Sequence, residues 1–200
     1  MLGRVRLILW ALVAIAAIVL LWLAVRPPSP PRGSAPNEMP LASIGGPFNL
    51  TGSDGSPFSS SQLTGRPYAI FFGFTHCPDV CPTTLARLAK LRRQLGKGDA
   101  AFAILFITVD PERDGPAEVG AYAGLFDTPV VGLTGSPAQI GQIKKSFGIY
   151  SAKAPQPGGG YSVDHTATVF LMDRSGKFLA TLSPEENDAV ALDKLKRVTG

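Results

Sequence analysis

Two kinds of apolar run organise this chain. Leu7 to Val25 is nineteen residues without a charge. As a helix rising 1.5 Å per residue it is about 28 Å long, close to the hydrocarbon thickness of a bilayer. The later runs are shorter. Tyr68–Phe74 and Ala103–Val109 are nearly continuous apolar stretches, the pattern of strands buried on both faces. Between them Leu85, Leu88, Leu91 and Leu95 recur at helical spacing, while Arg87, Lys90, Arg92 and Arg93 fall elsewhere. A helix starting at Pro82 is predicted, since proline suits a first turn. Two such strands joined by a helix imply a right-handed strand–helix–strand unit.

Weaker signals fill in the rest. Phe48–Leu50 and Pro57-Phe58 flank Gly52-Ser53-Asp54-Gly55 and predict a hairpin. Gly115–Phe126 has a helical face of Val119, Tyr122 and Phe126, and Val130–Leu133 is a short strand. Ser136-Pro137-Ala138-Gln139 is a capping box with proline at the first helical position, and Gly148 ends that helix. Ala154–Tyr161, with two prolines and three glycines, is expected to be a loop. Thr166–Met172 and Phe178–Leu182 pair across the turn Asp173-Arg174-Ser175-Gly176. A last helix is expected from the second capping box, Ser183-Pro184-Glu185-Glu186, with Lys194, Lys196 and Arg197 near its end. The sum is an α/β sandwich, a central mixed sheet flanked by helices.

Charge sharpens the organisation. The formal charge is +4, but Arg4, Arg6, Arg26 and Arg32 lie in the first 32 residues, which hold no acid. The remainder is balanced, so nucleic acid is not an expected partner. The apolar run is longer than a signal-peptide core and ends in Ala24-Val25-Arg26-Pro27, a poor cleavage site. Residues 1–26 therefore read as a retained membrane anchor spanning about 7–25, with Trp10 and Trp22 near its ends. Pro-rich residues 27–41 form an extended spacer, and residues 42–200 the domain. A slight excess of positive charge before the span favours the N-terminus inside, with the domain exported.

The only two cysteines, Cys77 and Cys81, sit where the first long strand meets its helix. The positive end of a helix favours thiolates, the form that binds metal and attacks disulfides. In an oxidising compartment the pair also reads as a plain structural disulfide, although so short a loop gives such a bond little to stabilise. His165, 84 residues beyond Cys81, precedes a strand expected in the same sheet.

Phe74-Thr75-His76-Cys77-Pro78-Asp79-Val80-Cys81-Pro82, Asp110-Pro111-Glu112-Arg113-Asp114 and Asp164-His165-Thr166 together resemble the Sco/SenC family over residues 42–200 and the anchor. The family usually has Asp-His-Ser at the third motif. The resemblance implies a thioredoxin-like fold and a membrane-anchored copper protein. That protein assists the binuclear copper (CuA) centre of cytochrome c oxidase, with Cys77, Cys81 and His165 as copper ligands. Softness agrees, since two thiolates suit Cu(I) and an added imidazole suits Cu(II). Zinc with the same ligands and a water is the weaker alternative. His76 is expected to flank the site, and Asp110 and Asp164 to orient ligands or nearby backbone.

The leading expectation is a metallochaperone rather than an enzyme. It would take copper from an upstream donor and pass it to the copper-bearing oxidase subunit, with the N-terminal helix in lipid. The alternative is a thiol–disulfide oxidoreductase that reduces the target's cysteines through the redox-active pair Cys77 and Cys81. General oxidoreductases use Cys-x-x-Cys, one residue shorter than here. A peroxidase would need a hydroxyl residue three before the nucleophile, and Thr75 is two before Cys77. With no Arg- and Ser-rich leader, a bacterial inner membrane with the domain in the periplasm is favoured over the mitochondrial inner membrane facing the intermembrane space.

Overall fold

The computed structural model describes residues 44–200, together with Arg6, Trp10, Ile15, Ala16, Ala17, Val19 and Trp22. Those seven have helical backbone. The rest of the expected span over 7–25, and the spacer over 27–41, lie outside the described residues. Among the described residues no helix is long and apolar enough to cross a membrane. The chain divides into two units, Met1–Glu38 and Met39–Gly200, and the sheet, its helices and the cysteines all belong to the second.

The centre of the sheet is the pair of parallel strands β3 (Tyr68–Gly73) and β4 (Ala103–Thr108), in which every residue is buried. That double burial is why both read as unbroken apolar runs. On one side β4 pairs in parallel with β5 (Val130–Thr134), which meets the hairpin of β1 (Asn49–Gly52) and β2 (Pro57–Ser59). On the other, β3 pairs antiparallel with β8 (Val169–Met172), which carries β9 (Phe178–Leu182). The order is β2-β1-β5-β4-β3-β8-β9, a mixed sheet as expected.

Four helices cover it among the described residues: α1 (Val80–Gln94), α2 (Pro116–Ala123), α3 (Pro137–Phe147) and α4 (Asp188–Thr199). Register assigns the faces, because alternate strand residues point to opposite sides. Phe71 and Phe106 are paired neighbours, and Phe106 lies 4.9 Å from Tyr122 of α2. On the opposite face Phe72 and Phe170 both meet Phe147 of α3. The capping box of α3 is formed, and Gly148 closes that helix at φ +65°.

Several boundaries depart from expectation: β8 starts at Val169 rather than Thr166, and α2 ends at Ala123 rather than Phe126. Helix α1 starts at Val80, two residues before Pro82, because any of the first few positions tolerates a missing N–H. Helix α4 starts at Asp188, capped by Asn187 accepting from the Ala189 amide at 2.7 Å. Ser183–Glu186 is only a turn, since the Glu186 carboxylate is taken by Lys194 and Arg87 binds the turn's carbonyls. The largest departure lies in the expected loop 154–161. Ser151–Pro155 (β6) and Tyr161–His165 (β7) form a separate two-stranded ribbon. Its turn is made by Gly158, Gly159 and Gly160, all at positive φ, where only glycine sits without strain.

Candidate metal centre

The cysteine side of the site is built into the core. Cys77 lies half-buried in the loop after β3, and Cys81 is fully buried in the first turn of α1. Asp79 occupies the N-cap but makes no side-chain bond to the helix backbone, accepting instead from Thr83 Oγ1 at 3.2 Å. The Cys81 amide donates to Cys77 Sγ at 3.4 Å. A sulfur thus takes the acceptor's place at the helix start. Gly73 makes room for the other sulfur. A Cβ there would stand 2.8 Å from Cys81 Sγ, 2.9 Å from the Phe106 ring and 3.1 Å from Phe71.

The helix start was expected to favour thiolates at both positions. At Cys81 the opposite holds: burial pushes its thiol well above the ordinary range, only partly offset by the Phe74 backbone amide. A sulfur with no solvent exposure loses more from desolvation than a helix end returns.

The histidine side arrives from the ribbon. His165 ends β7 rather than leading directly into a strand of the main sheet. Its ring stands edge-on to Phe71 at 6.1 Å and to Phe74 at 5.7 Å. Nδ1 lies 3.1 Å from the Thr166 carbonyl, which can only accept, so Nδ1 carries the proton. Nε2 is left with its lone pair, 3.5 Å from Cys81 Sγ. Burial holds the imidazole below its ordinary pKa of 6.5, which keeps that lone pair available. The Sγ atoms of Cys77 and Cys81 and a ring nitrogen of His165 all lie within 4.8 Å of one another. Donors that close can share one ion at bond lengths of about 2.0–2.3 Å. Two sulfurs and one imidazole suit a soft or borderline metal.

The Asp110–Asp114 run fastens both sides. Asp110 is buried, accepts from Tyr161 Oη at 3.0 Å, and pairs with Arg113 Nε. Arg113 also donates to the Tyr161 carbonyl at 2.9 Å, and its guanidinium lies 3.8 Å from the Tyr161 ring centre. On its other side it faces Phe74 at 5.9 Å. Lys153 of β6 pairs with Glu112 at 2.6 Å. Asp110 therefore acts on the ribbon that bears His165. Asp114 is completely buried and holds the cysteine loop, accepting from the Thr75 amide, Thr75 Oγ1 and Thr108 Oγ1 at 2.9, 2.6 and 2.7 Å.

His76 is exposed, its Nδ1 3.0 Å from Thr75 Oγ1 and 3.7 Å from Asp114. It stands outside the ligand group, as expected of a flanking residue. Asp164 is exposed, and its charge only partly offsets the effect of burial on His165. Gly73, Arg113, Asp114 and Tyr161 matter here, yet each gave no signal in sequence beyond a glycine in a strand, a motif neighbour or a loop aromatic.

A family model described as SCO1/SenC matches residues 36–200. The yeast (Saccharomyces cerevisiae) mitochondrial protein SCO2 is 35% identical over 156 residues, covering 76% of this chain and 52% of that protein. The chain thus spans about half the length of that relative. Among solved structures, Bradyrhizobium japonicum ScoI with copper bound is 44% identical at a TM-score of 0.69, covering 78% of this chain and 99% of the other. BsSco, described as a member of the Sco family of cytochrome c oxidase assembly proteins with a disulfide switch, is 27% identical at a TM-score of 0.62. It covers 81% and 96% of the two chains.

Proposed function

Since the chain belongs to the SCO1/SenC family, we propose that it is a copper-handling protein of cytochrome c oxidase assembly. Its cargo would be one copper ion held by Cys77, Cys81 and His165. The observation that carries this reading is the convergence of those three donor atoms within 4.8 Å. Support comes from the copper bound in the ScoI structure and from the role named for BsSco.

The geometry gives each ligand a part. Cys77, the more exposed sulfur, meets the incoming ion, and Cys81 closes the site from the core. Loading releases the Cys81 proton to solvent, so it strengthens as pH rises. Two thiolates suffice for Cu(I), while Cu(II) also needs the imidazole lone pair that the Thr166 carbonyl leaves free. His165 thereby makes retention depend on oxidation state. The copper-bearing oxidase subunit is the recipient and an upstream copper donor the source. Residues 7–25 anchor the protein in an exporting membrane, with residues 27–41 as spacer.

A second reading shares the site. Cys77 and Cys81 are free thiols four residues apart, and as a dithiol they can pass two electrons to a target disulfide while closing their own. The two readings part at His165, which thiol exchange does not require as a ligand. In cells lacking the wild-type protein, at limiting copper, His165→Ala and Cys77→Ser should both lose oxidase activity. Normal oxidase with His165→Ala but not with Cys77→Ser would overturn delivery in favour of thiol reduction.

A further inference from the structure

The charges of the domain balance in number but not in place. Strands β3, β4 and β5 are mutually parallel, and β9, antiparallel to β8, runs the same way. Each of the four helices follows one of these strands, so all four start at the end that carries the cysteines and finish at the other. Contacts tie those finishes together. Arg92, in the last turn of α1, donates to the Phe102 carbonyl just before β4 at 3.1 Å. Lys97 Nζ, beyond α1, donates to the Thr199 carbonyl at the end of α4 at 3.1 Å. The Gly45 amide donates to the Ser146 carbonyl near the end of α3 at 2.8 Å, and a Cβ on Gly45 would stand 3.0 Å from Met172 Cε at the end of β8. The Gly65 amide, before β3, donates to the Arg174 carbonyl, after β8, at 2.9 Å.

This far end is basic. Arg93, Lys145, Lys196 and Arg197 stand exposed in last helical turns. Arg66, Lys97, Arg174 and Lys177 stand exposed in the turns beside them. Acids are fewer there among the described residues, and most are engaged. Asp99 pairs with buried Arg92 at 3.0 Å, Asp193 answers Arg197 one turn back, and Asp173 accepts the Ser175 and Lys177 amides of its own turn. Asp127 is exposed. The metal end reverses the sign, with Asp110, Glu112 and Asp114 after β4 and Glu185, Glu186 and Asp188 about the start of α4. Basic last turns answer the helix dipole. That accounts for none of Arg66, Arg174 and Lys177. It accounts no better for Leu125, 73% exposed just beyond α2, or Leu179, 47% exposed on the outermost strand β9. Ser175 borders two hollows of about 290 and 360 Å³, the first lined by Ser59, Ser60, Ser61 and Thr64, the second by Arg174 and Arg197.

We propose that this basic end is a docking surface for anionic phospholipid headgroups, on which the domain rests with its metal centre turned to the water. Exposed arginines and lysines around a few exposed leucines are what a headgroup layer takes up. The described domain also begins here, at Ile44 and Gly45, so the chain from the expected anchor reaches it at this end. A Pro-rich spacer permits that docking without enforcing it, which leaves the headgroup charge to decide. The inference rests on the anchor reading above.

The full chain is reconstituted in nanodiscs of phosphatidylcholine alone or mixed with phosphatidylglycerol, and amide hydrogen exchange is followed at low and high salt. Residues 173–177 and 196–200 should gain protection only in the anionic discs, and lose it in high salt. The ribbon over 151–165, at the metal end, should exchange alike in both. Lys177→Gln with Lys196→Gln should cut the gain about fivefold for each charge removed. A gain that survives salt and the double variant, or one shared by the ribbon, overturns the proposal. Equal exchange in both discs overturns it too and leaves the basic end to an acidic protein partner. A chain that enters neither disc would instead refute the anchor reading.

Discussion

The two halves of the site are held by different physics. Cys81 sits at zero exposure against strands whose every residue is buried, so its place is set by the packing that folds the domain. His165 rides on a ribbon of half-exposed strands that belongs to no larger sheet. Its ring packs on Phe71 and Phe74 and Val163 reaches the core, but the ribbon's remaining ties are polar ones from Arg113, Asp110 and Lys153. One side is fixed wherever the protein folds; the other is fastened on. A carrier that must both hold and release an ion benefits from that inequality, since the imidazole can be let go without unfolding the core.

The inequality can be broken from either end. Asp114→Ala should act first on the fixed side. It strips partners from the part-buried Thr75 amide and the buried Thr108 hydroxyl and should cost about 3 kcal/mol of stability. Denaturant unfolding would show that loss, together with weaker binding of both copper states. Arg113→Ala should act on the fastened side alone. Cu(II) affinity should drop about tenfold and Cu(I) affinity less, with proteolytic nicking appearing at Gly158–Gly160. Equal losses for both ions would show that the ribbon is not separately attached.

Acid provides a gentler lever. Burial holds the His165 pKa below 6.5, so the unfolded chain takes up that proton more readily than the native one. The stability tied to neutral His165 is present above that value and lost as pH falls through it. Between about pH 7 and pH 5 the wild type should lose more stability than His165→Ala, seen as a larger fall in melting temperature. The smallest effect belongs to Lys153→Ala. Its pair with Glu112 is exposed and screened by solvent, so the denaturant midpoint should scarcely move.

The same inequality decided what could be read in advance. Strands β3 and β4, the helix between them and the box that caps α3 declare themselves through burial and capping, which leave periodic marks. The ribbon leaves only faint ones, because Ser151–Pro155 is short, half-exposed and ends in proline, and its partner follows three glycines. His165 was therefore identified by motif while its setting was not. The α4 start was misplaced because Glu186, the box's fourth residue, is spent on Lys194. Asp110 stands out through the Asp110–Asp114 motif, but the tighter knot is at Asp114, four residues on. Only the fold shows that Thr75 and Thr108 meet there.

The central claim is that Cys77, Cys81 and His165 bind one ion together. X-ray absorption at the copper edge, on the full chain loaded with Cu(II), measures that directly. The structure predicts two sulfur neighbours and at least one imidazole nitrogen, with that nitrogen lost in His165→Ala. A copper environment with no sulfur, or one unchanged in His165→Ala, would contradict it.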